Sequence, residues 1–144
     1  MACQTTPRNT EPPTPAGELS LDDRLAKIDR EHAMLLSMQD LLLTALNQHF
    51  RRKTVAKMLH ILKLYTRFHF ELEESTMVLC RYDRLREHQC EHQAFWSDLD
   101  RIVMTFDQGG DVYDDVRKLF VRLAHHHIRN SDEAFIQFAR QSVH

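Results

Sequence analysis

Past Pro15 the chain has no proline, and between Gly17 and Gly109 it has no glycine. So long a stretch with so few breakers favours helices over strands and hairpins. No apolar run approaches the ~20 residues of a bilayer-spanning helix, so no membrane span is expected. Neither sign of charge dominates: 19 Lys and Arg against 21 Asp and Glu leave a net charge of −2. Over the chain as a whole that gives no broad basic field for nucleic acid or acidic membrane, and no acidic tail. Residues 1–6 lack the basic and apolar regions of a secretory signal, which makes the expected compartment the cytoplasm. Cysteine is scarce and odd in number; Cys80 and Cys90 form no Cys-x-x-Cys pair, so the thiols read as reduced, not as a disulfide framework or zinc knuckle.

What is present is ordered along the chain. All four prolines fall in the first fifteen residues among several threonines, so 1–18 reads as a flexible Thr/Pro-rich tail with too few apolar groups to offset its ordering entropy. Residues 19–144 suit one domain. Leu25, Ile28, His32, Leu35, Gln39, Leu42 and Leu46 alternate spacings of three and four, predicting a first helix over about 20–48 that Ser20 could cap. Val55, Met58 or Leu59, Leu62, Tyr65, His69, Glu73 and Met77 predict a second over about 52–80. Leu85, His88, His92, Phe95, Leu99, Ile102 and Phe106 predict a third over about 84–107, ended by Gly109-Gly110. Val112, Val116, Leu119 or Phe120, Leu123 and His127 carry a fourth. Short links between long amphipathic helices imply an all-α fold, an up-down-up-down antiparallel four-helix bundle.

Ten histidines is the one abnormal count, and it points at metal. His32, His69, Glu73, His88, His92 and His127 occupy stripe positions that periodicity assigns to the core. An unpartnered imidazole or carboxylate there costs a few kcal/mol. One such histidine is most simply a packed residue donating to a carbonyl. Five, with a carboxylate among them, are satisfied together by metal at one point. His69 and Glu73 are four apart and share a helix face, as do His88 and His92. Glu71 and Glu74 are turned off that face, Cys90 points away from its flanking histidines, and Cys80 reads as a small core residue one layer off. His49, His60, His125, His126 and His144 fall outside the stripes. Five imidazoles and a carboxylate are too many donors for one tetrahedral zinc and too rich in nitrogen for magnesium or calcium. Two first-row ions fit, iron first. No Glu-x-x-His occurs, which argues against a ferritin-like site.

Together, Ile28-Asp29-Arg30-Glu31-His32, His69-Phe70-Glu71-Leu72-Glu73-Glu74, His88-x-x-x-His92 and His127-Ile128-x-x-x-Asp132 resemble the hemerythrin family, in its single-domain bacterial form. The resemblance spans 25–138. It implies that His88, His92 and His127 hold one iron, His32 and His69 the other, and that Glu73 and Asp132 bridge them. Asp132 enters from the resemblance alone. The family's usual Trp-Leu before the fourth-helix histidine is replaced by Leu123 and Ala124. A tryptophan ahead of the first helix and a proline after Tyr82 are absent as well.

The implied activity is reversible dioxygen binding at the iron with fewer histidines, as a non-enzymatic carrier, store or delivery protein with an oxygen-consuming enzyme as partner. Leu35, Phe70, Leu123, Ala124 and Ile128 would line the oxygen pocket. Two alternatives stand beside it: a hemerythrin-like enzyme handling nitric oxide, peroxide or iron for repair, and an oxygen or redox sensor, for which residues 1–27 and 138–144 leave no room for a signalling domain. One consequence is geometric. His127 and Asp132 are five apart, which on an α-helix at ~100° per residue turns them ~140° from one another. Both can enter one site only if the backbone departs from α geometry between them, as a π-type turn or a break, with Asn130, Ser131 or Asp132 capping a closing segment over 133–140.

Overall fold

A computed structural model describes residues 18–142. The tail expected over 1–18 lies outside the described residues apart from Glu18, and so does His144. Helices α1 (Leu21–Asn47), α2 (Arg52–Cys80), α3 (Leu85–Asp107) and α4 (Tyr113–Arg122) are followed by a π-helix (Leu123–Asp132) and α5 (Glu133–Ser142). No strand occurs among the described residues. Side-chain pairs fix the antiparallel order: Arg24 with Ser75 and Glu31 with His69 join α1 to α2, Lys63 with Asp100 joins α2 to α3, and Arg122 with Asp98 joins α3 to α4. The architecture is the up-down-up-down bundle that the stripes predict.

Local chemistry sets the boundaries. Ser20 Oγ accepts from the Asp23 amide at 3.1 Å, satisfying one orphan donor of α1. Arg81 closes α2 in the left-handed region at φ 56°, and Gly109 supplies a φ of 93° after α3, where a side chain would be strained. The fourth helix departs from expectation in two ways. The π geometry is present, but it starts at Leu123, before His127. And no side chain caps α5: Ser131 Oγ turns to Glu91, Asn130 reaches the His125 carbonyl at 3.5 Å, and the helix runs straight through. A helix bonded i→i+5 needs no interruption, so a cap has no free amides to serve.

Two apolar clusters fill the interior. The larger one holds Leu35, Leu42, Leu59, Leu62, Phe95, Leu99, Phe106, Leu119 and Phe120. The smaller one packs Leu25, Ile28, Met77, Tyr82, Phe135, Ile136 and Ala139. Each large side chain so buried contributes about 1.5–3 kcal/mol. The polar layer lies along the chain between the residues of these clusters. Cys80 is half-buried against the smaller cluster and Cys90 is exposed, as expected.

Candidate metal centre

All seven predicted residues meet in the bundle interior, and all seven are buried. Donor atoms of His32, His69, Glu73 and Asp132 lie within 4.8 Å of one another, as do those of Glu73, His88, His92, His127 and Asp132. The two carboxylates belong to both groups. Glu73 turns Oε1 to His32 and His69 (2.9 and 2.8 Å) and Oε2 to His92 and His88 (2.9 and 3.4 Å). Asp132 turns Oδ2 to His32 (2.9 Å) and Oδ1 to His88 and His127 (2.8 and 3.0 Å). Each carboxylate therefore turns one oxygen toward the His32/His69 group and the other toward the His88/His92/His127 group.

Metal fits this donor set on two observations. Both Asp132 oxygens are buried without a hydrogen-bond partner, although nitrogens of His32, His88 and His127 lie 2.8–3.0 Å away. Such an orphaned carboxylate is costly unless a cation occupies the space its lone pairs face. Second, His92 Nε2 lies 3.0 Å from His127 Nε2, while the Nδ1 atoms of the two rings each lie 2.7 Å from a carboxylate, Glu74 and Glu91. With Nδ1 donating to the carboxylate, each Nε2 is turned inward, where the unprotonated ring that a metal ion requires presents its lone pair.

The Hemerythrin HHE cation binding domain matches residues 23–139. The chain belongs to the hemerythrin family. Among similar proteins, the Bacteriohemerythrin of Pseudomonas paraeruginosa is 30% identical over 123 residues, covering 85% of this chain and 80% of that one. Its counterpart in Pseudomonas aeruginosa (strain LESB58) is 29% identical over the same shares, and that of Stenotrophomonas maltophilia is 28% identical over 79% of each chain. No solved structure matches.

In this hemerythrin domain, three carboxylates escaped the reading of stripes. Glu31 accepts from His69 Nδ1 at 3.1 Å, Glu74 from His92 Nδ1 and Glu91 from His127 Nδ1, and Ser131 Oγ donates to both Glu91 oxygens at 2.9 and 2.7 Å. Such outer partners fix the ring tautomer and aim. A signal existed: each acid is sequence neighbour to a stripe residue, His32, Glu73 or His92, so it sits at the flank of the inward face and reaches the adjacent helix. Glu74 does point off the His69–Glu73 face, but it points toward α3. His49, His60, His125 and His126 are exposed, as expected.

The residues proposed to line an oxygen pocket are gathered less tightly. Leu35, Phe70 and Leu123 are buried in the larger cluster, Ile128 packs against it and Ala124 is half-buried. Phe70 stacks on the His92 ring at 3.7 Å between centroids, 8° from parallel.

Electrostatics of the metal-free site follow from five imidazoles around two carboxylates. Burial pushes the His32 imidazole down, but Asp132 and Glu73 more than reverse it and hold it up at about 9. Burial likewise opposes charge on His69, and Glu73 and Glu31 overcome it, again to about 9. His127 is raised to about 11 by Asp132 and Glu73 against burial. Burial and the Glu73 charge push Asp132 up, but His127, His32 and His88 draw it down to about 2.

A pH dependence follows. In the metal-free fold these histidines contribute fully below their ordinary 6.5 and lose that contribution as pH rises through about 9 and then 11. Asp132 contributes fully above its ordinary 3.8 and loses it as pH falls through about 2. Metal ions need the unprotonated imidazole and bind more tightly as protons leave. The melting temperature of the metal-free chain should therefore decline from pH 6.5 to 9, and its gap to the metal-loaded chain should widen. Calorimetry across that range that shows the gap narrowing contradicts the assignment.

Proposed function

We propose that the chain holds two iron ions and binds dioxygen reversibly, as a non-enzymatic carrier or store in the cytoplasm that serves an oxygen-consuming enzyme. The observation that carries this is the unequal division of donors around two shared carboxylates. His88, His92 and His127 with one oxygen from each carboxylate give five protein donors; His32 and His69 with the other oxygens give four. By donor count, an ion held on the four-donor side would keep a position for an exogenous ligand. Held across the two groups as a ferrous pair, iron would supply the electrons that dioxygen takes on binding and returns on release.

The protein's own part is holding, shielding and limiting protons. Glu31, Glu74 and Glu91 hold three of the imidazoles in aim. Leu35 lies one turn from His32 on α1, and Phe70 covers His92. These apolar groups exclude the water that would otherwise protonate and release a reduced ligand. The family resemblance and the relatives named Bacteriohemerythrin support the same reading.

The test is a visible spectrum of the reduced, iron-loaded protein before air, after air and after oxygen is removed again. A colour that appears and bleaches reversibly, with two irons per chain, is the expected result. Steady consumption of oxygen, peroxide or nitric oxide would overturn the carrier reading in favour of an enzyme.

One variant addresses the lifetime of the oxygenated form. Leu123 lies on the wall of a cleft of about 220 Å³ that reaches His127, Glu91 and Ser131. The cleft brings water close to the triad side. Leu123→Trp adds bulk beside it, at an overpacking cost of about 1–3 kcal/mol. The oxygenated form should decay several-fold more slowly, followed by its absorbance in air. An unchanged or faster decay with the fold intact speaks against shielding at this position.

A further inference from the structure

Away from the metal layer, α1 and α2 carry an apolar face that no other helix covers. Met34 and Leu41 on α1, and Ile61, Leu64 and Phe68 on α2, are each between 50 and 64% exposed. Met34 and Leu41 are seven apart; Ile61, Leu64 and Phe68 are spaced by three and four, so each set forms one stripe. The antiparallel register fixed by Arg24–Ser75 and Glu31–His69 sets Met34 beside Phe68 and Leu41 beside Ile61. Half-buried Met38 and Tyr65 lie at the seam between the two stripes. Five large apolar side chains together, in a chain with a filled core, mark an interaction surface.

Charge identifies what fits it. Lys27 and Arg30 lie two turns and one turn before Met34, and Lys53 and Lys57 two turns and one turn before Ile61; all four are exposed. Because the helices run antiparallel, these pairs bracket the apolar stripe at both ends. The acidic groups nearest are engaged: Asp23 with Ser20 at the start of α1, and Glu71 with Arg67. Asp40 is turned ~100° away from Leu41 toward the opposite flank of α1. A second copy of the chain would bring basic end against basic end in either sense of a two-fold contact, which repels.

We propose that the α1–α2 face docks on an anionic lipid bilayer. The two helices lie in the plane of the interface, apolar side chains entering the boundary by ~5–10 Å and the four basic groups meeting anionic headgroups. No helix among the described residues is long and apolar enough to cross a membrane, so the contact is peripheral. The attachment is independent of what the metal centre binds.

The test is co-sedimentation of the full iron-loaded chain with phosphatidylglycerol–phosphatidylcholine vesicles and with phosphatidylcholine alone. Binding to the anionic vesicles, weakening as salt is raised and absent on phosphatidylcholine, is expected. Leu41→Glu with Leu64→Glu should weaken it roughly tenfold or more, as should Lys53→Glu with Lys57→Glu. All four positions are exposed, and circular dichroism should show unchanged helix content. No sedimentation with anionic vesicles, or binding by either double variant as strong as the parent chain's, overturns the proposal. So does a dimer in solution that the leucine pair splits while the parent chain ignores vesicles.

Discussion

Glu73→Ala is expected to leave both metal positions empty, whereas His69→Ala should leave one partly filled. Glu73 is fully buried and presents separate oxygens to the pair His32/His69 and to His92 and His88. Its removal takes a donor from each group and the shared negative charge from the middle of five imidazoles. The metal-free fold suffers too. His69 and His32 owe their raised pKa values partly to Glu73, so the variant leaves buried positive charge less compensated. Breaking a buried ionic partnership from one side costs about 3–5 kcal/mol. His69→Ala removes one donor from the four-donor group and none from the other, so iron should fall toward one per chain. His92→Ala should lower iron from the opposite side. His60→Ala and His125→Ala, at exposed positions, should change neither iron content nor melting temperature. Metal analysis beside thermal unfolding decides it. Two irons per chain in Glu73→Ala, or in both His69→Ala and His92→Ala, would refute the donor assignment.

The layout of the bundle was legible because its punctuation is sharp. With prolines confined to the first fifteen residues, the three long helices could end only where stripes ended or glycines fell, and they do so within a residue or so of expectation. Side-chain placement inside the stripes was less legible. Leu46 reads as core, yet Ala45 is buried and Leu46 only half-buried; Tyr65 reads as core, yet Thr66 is fully buried. A real helix turns 3.6 residues, so a three-four alternation written over many turns drifts off the inward direction. Thr66 tolerates burial because its hydroxyl donates to the Leu62 carbonyl at 2.8 Å, a local bond that no stripe reveals. The five core histidines and Glu73 were legible as a polar cluster because such a group in an apolar stripe demands a reason, whereas Asp132 came only through the family resemblance. Glu31, Glu74 and Glu91 were not, because an acid on a helix flank is ordinary until the facing helix is in place.

Stripping the metal should open the π-helix before any other buried segment. Leu123–Asp132 carries two donors, His127 and Asp132, in a backbone whose i→i+5 bonding is less favourable than the α-helix it replaces. The distortion exists where the five-residue spacing must aim both side chains at one site, and its cost is offset by what those side chains hold. Asp132 holds no hydrogen bond of its own, so without metal its oxygens contribute only electrostatic attraction to His127, His32 and His88. The exposed residues of the segment, His125, His126, Arg129 and Asn130, supply no apolar contact to resist opening. α5 has its own anchor, Phe135, Ile136 and Ala139 in the smaller apolar cluster, and can stay docked while the segment before it opens. Local opening of this kind is read by amide hydrogen exchange. Amides of Leu123–Asp132 should exchange roughly 100-fold faster after metal removal, equivalent to about 2.7 kcal/mol at 1.36 kcal/mol per factor of ten. Amides in the middle of α2, packed on both neighbours, should change far less. If exchange accelerates evenly across all helices, metal stabilises the bundle as a whole and the π-helix is not where it is held.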